Sequence, residues 1–377
     1  MKYFIIAGEK SGDLHGSNLI KGIKKADPEA EIFFWGGEMM EEAGGKLLLH
    51  YRQLAFMGFV GVVKNLGTIF RNMSLCKRQI REITPDVVIL IDFPGFNLRI
   101  AQYAKSLGLK VFYYISPKLW AWKESRVKKV RRFTDRMFII FPFEVEFYRK
   151  HNISVEYYGN PLVDEIENRK QFFGDRDEMK RSLGLDERPV ITLLAGSRKD
   201  EVKRILPPML KAAANFSAYQ FVLAGVRNLP AELYTRVMGE SKIKIIFDKT
   251  YELLWIAEAA LVKSGTSTLE AALIGTPEVV CYSGDPISIA IARLIVDVKY
   301  ISLVNLIMDR PVVKELLQEE NNPEKISEEL AKIIKGGSGR ELMLSEYSEL
   351  SKMLGPAGAS DRIALEMVKL LKKSLAK

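Results

Sequence analysis

The feature that most constrains the fold is an alternation of short apolar runs with amphipathic stretches. The runs have the character of strands, whereas the stretches between them, such as Leu14–Lys25, have helical periodicity. In the first half of the chain the predicted strands are Tyr3–Ala7, Ile32–Trp35, Val87–Ile91, Val111–Ile115 and Met137–Phe141. This pattern predicts a parallel sheet with helices on both faces.

The second half repeats the alternation after a polar, irregular stretch at Tyr158–Phe173. Its predicted strands are Val190–Leu194, Gln220–Ala224, Ile243–Phe247, Ala260–Lys263 and Glu278–Tyr282. The length of 377 residues also favours two domains over one. The sequence thus predicts an α/β protein of two doubly wound, Rossmann-like domains. Ligands of such sheets bind at the loops that follow the strands.

Charge and composition limit the function without fixing it. A net charge of +9 and a pI near 9.2 indicate an anionic partner, which could be nucleic acid, a phosphorylated substrate or an anionic membrane surface. Cys76 and Cys281 lie far apart, and the three histidines form no zinc pattern with them, which favours a reducing, cytoplasmic compartment. Because Glu9 and Lys10 follow the first strand at once, no signal peptide is expected.

A loop of small residues, Gly8–Gly16, follows the first strand. Its backbone N–H groups suit the approach of a ligand before a helix begins, and it is not the GxGxxG of dehydrogenases. The candidate substrate-contacting residues here are Glu9, Ser11, Gly12, Asp13 and His15. The same loop also fits a tight strand-to-helix turn with Asp13 as a cap, and the loop alone does not decide.

Asp92 ends the apolar strand Val87–Ile91 and precedes Pro94 and Gly95. A partly desolvated carboxyl there would have a raised pKa and could act as a general base. The alternative is an aspartate that caps the turn at Pro94 and Gly95, which the residues alone slightly favour.

Two loops of the second half indicate a nucleotide diphosphate. Arg198 follows a strand end beside a predicted helix start, where its planar fork suits a diphosphate, whereas Ser197, Asp200 and Glu201 resemble a capping box. The strongest local signal is Lys263–Ala272, in which hydroxyls and backbone donors precede a helix. Its candidate nucleotide-binding residues are Ser264, Gly265, Thr266 and Glu270, the last as an acceptor for ribose hydroxyls.

Three further patterns favour structural roles when taken alone. The aromatic and basic segment Trp120–Arg132 could bind nucleic acid, but Val127, Val130 and Phe133 indicate a scaffold helix. Asp175–Asp177 resembles a metal-binding DxD, yet it opens a helix, so no metal is assigned. The apolar run Leu54–Val63 is too short to span a bilayer and reads as core, or as a segment that dips into a membrane surface.

Nine ordered motifs across nearly the whole chain resemble the lipid-A-disaccharide synthase family. They are AGEKSGDLHG (7–16), LAFMGFVGVV (54–63), IDFPGFN (91–97), YYISPKLWAWKESR (113–126), FPFE (141–144), YYGNPLVDE (157–165), GSRKDEV (196–202), KSGTSTLEAAL (263–273) and VKELLQEE (313–320). The resemblance implies an inverting, metal-independent glycosyltransferase of the two-Rossmann (GT-B) class, with the two domains facing a cleft. The implied reaction moves 2,3-diacylglucosamine from UDP to 2,3-diacylglucosamine 1-phosphate (lipid X). The products are the β-1,6 disaccharide of lipid A and UDP.

The resemblance also implies roles for particular residues. Asp92 becomes the general base and Arg198 the diphosphate clamp, and Asn305 and Gln318 align with polar positions near the nucleotide. The apolar run becomes a patch for acyl chains and the membrane, comprising Phe56, Met57, Phe59, Val60, Val62, Val63 and Leu66. This chain differs from the usual family sequence at three positions, Gly95, Ala195 and Val304. Many members carry a second acid at the first of these, so its absence concentrates acid–base work on Asp92.

The expected organisation is an acceptor and membrane-facing domain at 1–167, a UDP-sugar domain at 168–350, and a helical segment at 351–377 that returns to the first domain. The resemblance places the protein on the cytoplasmic face of the inner membrane, with an anionic membrane surface as partner and a possible homodimer. Alternatives are another UDP-sugar enzyme, such as an N-acetylglucosaminyltransferase or a UDP-sugar 2-epimerase, and a basic nucleic-acid-binding protein.

Overall fold

A computed structural model of the protein describes residues 1–54, 66–119, 126–285 and 299–375, with only the backbone of Leu66. The chain divides into two compact units. Unit 1 comprises Met1–Asp164 and Gly355–Lys377, and unit 2 comprises Glu165–Leu354. Each unit is built on one parallel sheet.

The sheet of unit 1 has the strand order β3-β2-β1-β4-β5-β6-β7. Its strands are β1 Lys2–Ala7, β2 Glu31–Gly36, β3 Lys46–His50, β4 Val87–Ile91, β5 Lys110–Tyr114, β6 Arg136–Ile139 and β7 Glu156–Tyr157. The central strands β1 and β4 are almost wholly apolar and buried, as expected for a sheet covered on both faces. Their pairing places Ala7 beside Ile91, so the loops after both strands leave from one edge of the sheet.

Helices cover this sheet and bury their apolar faces against it. They are α1 Lys10–Ala26, α2 Glu38–Glu42, α3 Leu66–Ile83, α4 Pro94–Ser106, α5 Val127–Phe133, α6 Phe143–Lys150, α7 Pro161–Lys170 and α16 Ala359–Leu375, with a short 3-10 turn at Tyr51–Gln53. In α5 the apolar Val127 and Val130 are buried, while Lys128, Lys129 and Arg131 are exposed. For the described part of the basic segment, the interpretation as a scaffold helix is therefore confirmed.

The sheet of unit 2 has the order β10-β9-β8-β11-β12-β13. Its strands are β8 Val190–Leu194, β9 Gln220–Gly225, β10 Lys244–Phe247, β11 Ala257–Lys263, β12 Glu278–Tyr282 and β13 Lys314–Leu317. Its helices are α8 Arg176–Ser182, α9 Lys199–Ala213, α10 Ala231–Met238, α11 Thr250–Ile256, α12 Thr266–Ile274, α13 Leu303–Met308, α14 Pro323–Ile333 and α15 Arg340–Leu354, with a 3-10 turn at Gln318–Glu320. The adjacent strands β8 and β11 carry the Arg198 and Gly265 loops at the same edge of this sheet.

The last helix, α16, packs on α1 in unit 1. Its N-terminus is held by Asp164, whose carboxylate accepts hydrogen bonds from the backbone N–H groups of Gly358, Ala359 and Ser360 at 2.6, 3.0 and 2.8 Å. A Cβ on Gly22 of α1 would lie 2.7 Å from the Cβ of Ala364, so only glycine permits this close approach. The predicted return of the C-terminal helix to the N-terminal domain is confirmed.

The structure confirms the two doubly wound α/β domains that the alternation predicts. Strands β3, β7 and β13 were not predicted, because each is a short strand whose sequence is partly polar. Within the described residues, no helix combines the length and the apolar character needed to cross a membrane.

Candidate active site

Asp92 lies on a strained turn directly after β4. Its φ is +43° and that of Phe93 is +47°, and on the neighbouring strand end Ile115 has φ +60°. Left-handed backbone costs on the order of 1–3 kcal/mol for each such residue and is least favourable for a β-branched side chain. Three such residues at one sheet edge indicate a turn whose shape is imposed by its surroundings.

Backbone hydrogen bonds hold this turn in place. The N–H of Asp92 lies 3.2 Å from the carbonyl oxygens of both Tyr114 and Ile115. The carbonyl oxygen of Asp92 accepts from the Tyr113 hydroxyl at 2.6 Å and from Asn97 Nδ2 at 2.8 Å. These bonds use the backbone of Asp92, whereas its carboxyl group accepts a hydrogen bond from the Phe93 N–H.

The surroundings of the Asp92 carboxyl raise its pKa to about 6. Burial is the main cause, and the negative charge of Glu9 adds to it, whereas Lys118 and the Phe93 N–H lower the pKa. The structure therefore brings Glu9 of the first loop close to Asp92. It also adds Lys118, an exposed cation that the sequence analysis did not single out.

Lys118 extends from a loop whose backbone is fixed. The buried carboxylate of Glu144 accepts from the Ser116 hydroxyl and from the N–H of Phe141. The Pro117 carbonyl accepts from the Tyr148 hydroxyl at 3.3 Å. The FPFE motif therefore supports the loop that carries Lys118, and a buried glutamate near the start of a helix was the signal for it.

The small-residue loop approaches the Asp92 turn closely. A Cβ on Gly8 would overlap the ring of Phe93, so glycine is required where the first strand passes the turn. Helix α1 begins at Lys10 with Glu9 as its N-cap, and Ser11 is exposed while Gly12 is buried.

Asp13 does not cap the helix after the first strand, which was the alternative interpretation of this loop. Because α1 starts at Lys10, Asp13 lies inside it, and its carboxylate instead caps α2, accepting from the N–H groups of Gly37, Met39 and Met40 at 2.7, 3.2 and 3.2 Å. Asp13 is buried, so it holds two helices together. Burial lowers the pKa of His15 to about 4, although Asp164 counteracts this, so the imidazole is neutral at pH 7.

In unit 2 the Arg198 loop, Gly196–Glu201, leads from β8 into α9. Arg198 is the N-cap residue, with its side chain 60% exposed. The Glu201 carboxylate accepts from the Ser197 N–H at 3.1 Å and lies 3.7 Å from Arg198 Nη1. The predicted capping box thus exists in part, since Glu201 reaches back to the backbone while Ser197 makes no cap of its own.

The Gly265 loop, Lys263–Thr266, leads from β11 into α12. Gly265 is the N-cap of α12, which has no side-chain cap, and Thr266 is exposed. Ser264 is buried, and its hydroxyl donates to the carbonyl of Ile301 at 2.8 Å. The backbone at Gly265 and Thr266 is therefore open to a ligand, while the Ser264 hydroxyl is used by the fold.

Glu270 lies one turn into α12. Burial raises its pKa to about 7, and Tyr251, whose hydroxyl lies 3.2 Å from Glu270 Oε1, lowers it. Tyr251 is the partner that a glutamate among apolar residues needs, and it escaped the sequence analysis because it lies on a different helix, α11.

Asn305 and Gln318 both serve the local fold. Asn305 is buried, and its side chain donates to Val313 O and Glu315 Oε1, each at 2.9 Å, and accepts from Val313 N. Gln318 has φ +52°, and its Oε1 accepts from the N–H of Gly284 at 2.7 Å. The Asn305 side chain thus faces the protein interior.

The other predicted sites need only brief mention. The acyl-chain patch Phe56–Val63 lies outside the described residues, and Leu66 is the first residue of α3. Asp175 of the DxD pattern is the N-cap of α8 and accepts from the N–H groups of Asp177 and Glu178. In the described part of the chain, no group of three or more His, Cys, Asp or Glu residues is arranged to hold a metal ion.

Solved structures with the same two-sheet fold include a UDP-GlcNAc 2-epimerase and a glycosyltransferase. The UDP-GlcNAc 2-epimerase from Neisseria meningitidis bound to UDP-GlcNAc matches with a TM-score of 0.69 and 14% identity, over 98% of this chain and 100% of that one. The calicheamicin glycosyltransferase CalG4 matches with a TM-score of 0.59 and 12% identity, over 100% and 99%. These identities establish the fold alone, and it is that of the GT-B glycosyltransferases and related epimerases.

The sequence comparisons distinguish between these two kinds of enzyme. The LpxB family model, described as lipid-A-disaccharide synthetase, matches residues 3–355. The lipid-A-disaccharide synthase of Syntrophus aciditrophicus is 39% identical over 378 residues, covering 98% of each chain. That of Trichlorobacter lovleyi is 37% identical over 380 residues, covering 99% of this chain and 98% of the relative. The protein is therefore a glycosyltransferase, and it belongs to the lipid-A-disaccharide synthase family.

Proposed function

We propose that the protein transfers 2,3-diacylglucosamine from its UDP derivative to lipid X, forming the β-1,6-linked disaccharide 1-phosphate and UDP. The observation that carries this proposal is the Asp92 carboxyl, which lies on a turn held by backbone hydrogen bonds and whose pKa is raised by burial to about 6. Family membership supplies the substrate class.

In the proposed reaction Asp92 acts as the general base. Its carboxylate takes the proton of the acceptor hydroxyl while that oxygen attacks the anomeric carbon of the donor, and the bond to UDP breaks. Direct displacement of this kind inverts the configuration at the anomeric carbon. With Gly95 exposed nearby and bearing no acid, Asp92 performs the proton transfer alone.

The proposed donor site lies in unit 2. Arg198 and the uncapped start of α12 would stabilise the negative charge that develops on the departing diphosphate, without a metal ion. Glu270 would accept hydrogen bonds from the ribose hydroxyls. Ser197, Ser264, Asn305 and Gln318 stay predicted residues of this donor site, and the hydrogen bonds that they make within the protein also shape these loops.

A radiolabel assay in mixed micelles tests this proposal. UDP-2,3-diacylglucosamine and lipid X are given to the purified protein with and without EDTA, and the disaccharide is followed. We expect equal product in both arms. Absence of product from folded protein that binds UDP would contradict the reaction, and loss of product only with EDTA would contradict the metal-free mechanism.

We also propose that unit 1 binds the anionic inner face of the bacterial inner membrane. Helix α3 supports this, because it begins at Leu66, the end of the predicted acyl-chain patch, and presents Phe70 at 63% exposure beside the exposed Arg71, with Arg78 and Arg81 further along. An apolar side chain among cations is typical of a surface that binds anionic lipid.

Vesicle sedimentation tests the membrane proposal. The Phe70→Asp variant should bind vesicles containing phosphatidylglycerol several-fold more weakly than the wild type. Phe172→Asp is the matched control, because Phe172 is 76% exposed but lies in unit 2. Equal loss in both variants, or in neither, would contradict a role for α3.

A further inference from the structure

A compact ion cluster joins the two loops of unit 2 that the proposed function assigns to the diphosphate. Glu201 Oε1 lies 2.8 Å from Lys263 Nζ and 3.7 Å from Arg198 Nη1. The other oxygen, Oε2, accepts from the Ser197 N–H at 3.1 Å. One carboxylate thus connects two cations and one backbone donor from adjacent strands.

The location of Lys263 distinguishes it from an ordinary surface lysine. Its side chain is 20% exposed and that of Glu201 is 14% exposed, whereas Lys299 and Lys332, which also form ion pairs in this unit, are 63% and 44% exposed. Lys263 is the last residue of β11 and directly follows Val262, which pairs with Leu194 at the end of β8. The ammonium is therefore held in place at the edge of the sheet where ligands bind.

The ammonium group also stands at the start of α12. An ideal Cβ on Gly265 would have Lys263 Nζ as its nearest neighbour, at 3.7 Å. Gly265 is the N-cap of α12 and provides no side chain to bond the free N–H groups of the first turn. The ammonium group of Lys263 and the positive ends of these N–H dipoles repel each other. An anion bound between them would accept hydrogen bonds from the ammonium group and from the N–H groups.

The charges in the cluster leave it positive. Arg198 and Lys263 contribute two positive charges against the single carboxylate of Glu201. The neighbouring Lys199 and Asp200 are both exposed and oppose one another. Ser264, the hydroxyl expected to bind a phosphate, donates to Ile301 instead.

We propose that Lys263 is a second diphosphate-binding residue, which donates from Nζ to a phosphate oxygen of the donor, and that Glu201 positions Lys263 and Arg198 for this contact. This inference rests on the proposed function, since it deepens the donor site described there. The general base of unit 1 is not involved.

Calorimetric titration of the full chain with UDP and with uridine tests the inference. The Lys263→Met variant should bind UDP about tenfold more weakly, because a charge-assisted hydrogen bond is lost. Its affinity for uridine should not change, because uridine has no phosphate. Lys263→Arg should recover most of the affinity for UDP.

A second variant, Glu201→Gln, distinguishes two possible roles of Lys263. One is direct binding of a phosphate, and the other is neutralisation of the charge on Glu201. In Glu201→Gln the amide oxygen still accepts from the Ser197 N–H, so the loop retains its backbone bond while the negative charge is removed. Adding Lys263→Met to this variant should again weaken UDP binding about tenfold if Nζ contacts a phosphate. Wild-type affinity in the double variant would overturn the inference, as would equal weakening of UDP and uridine by Lys263→Met.

Lys332→Met is the matched control. Lys332 also pairs with glutamates, at 2.9 and 3.0 Å, but it lies in the last turn of α14, at the opposite edge of the sheet. Its UDP affinity should equal that of the wild type. Failure of the wild type itself to bind UDP would overturn the proposed donor site together with this inference, whereas normal binding by Lys263→Met would overturn this inference alone.

Discussion

Each unit contains a carboxyl whose pKa is raised by burial, Asp92 to about 6 in unit 1 and Glu270 to about 7 in unit 2. Their settings differ in backbone and in partners. Asp92 stands on a left-handed turn, and its carboxyl is bonded by the N–H of the neighbouring Phe93, whereas Glu270 lies in a regular helix and is bonded by the Tyr251 hydroxyl from another helix. A raised pKa thus accompanies a proposed catalytic role for Asp92 and a proposed binding role for Glu270.

Removing the proposed base should have the largest effect. Asp92→Asn should lower kcat by about 10² or more, because asparagine tolerates left-handed backbone but cannot accept the proton. Far-UV circular dichroism and UDP affinity should match the wild type. Asp175→Asn, in the DxD pattern, is the matched control and should remain active. Retained activity in Asp92→Asn would contradict the catalytic role proposed for Asp92.

The pH dependence of the wild type should follow Asp92. Because the base must be ionised, kcat/KM should rise with pH, reach half of its plateau at about pH 6 and level off roughly one pH unit higher, and at pH 5 it should be about tenfold below the plateau. Lys118 lowers the pKa of Asp92, so Lys118→Met should move the inflection to higher pH, and Lys118→Arg should leave it in place. An inflection that does not move in Lys118→Met would contradict this assignment.

A smaller effect is expected on the binding side. Tyr251→Phe removes the hydrogen bond to Glu270 and raises the pKa of that carboxyl, which favours its neutral form at pH 7. UDP affinity measured by calorimetry should fall about fivefold, corresponding to about 1 kcal/mol. The ratio of kcat values for variant and wild type at saturating donor should stay near one. A loss confined to kcat would reverse the roles assigned to the two units.

Glu278 provides a third carboxyl that should not affect activity. It is fully buried at the first residue of β12, the edge of the sheet away from the ligand loops, and burial raises its pKa well above the usual value. The folded state holds a proton that the unfolded state releases, so stability falls as pH rises above the unfolded pKa of about 4.3. Glu278→Gln should therefore raise Tm on the order of a few degrees at pH 8, less at pH 4, with unchanged turnover. A change in turnover in Glu278→Gln would contradict the expectation that this carboxyl affects stability only.

The sequence predicted the fold better than it predicted the site. Buried parallel strands such as β4 and β8 are continuous apolar runs, so their existence follows from composition alone. The edge strand β13, Lys314–Leu317, is half polar and gives no such signal. Left-handed backbone at Asp92 and Phe93 was also hidden, because neither is glycine and the strain is imposed by contacts from other strands.

Contacts between distant segments explain the remaining differences. Asp13 was assigned to its own helix, but its partners are the N–H groups of α2, more than twenty residues away. Lys263 precedes a recognisable motif, yet its pairing with Glu201 depends on β8 and β11 being neighbours. Local patterns predict which loops matter, whereas the side chains that face one another across them depend on strand order.

The hydrogen bonds between Asp164 and the start of α16 affect the order in which the two units fold during synthesis. Unit 2 is a continuous stretch of chain, Glu165–Leu354, and can assemble as soon as that stretch has left the ribosome. Unit 1 waits for its last segment, because α1 and α16 bury apolar faces against each other. Unit 1, whose first segment precedes unit 2 in the chain, is therefore completed after unit 2. Until then the apolar face of α1 that α16 covers is exposed.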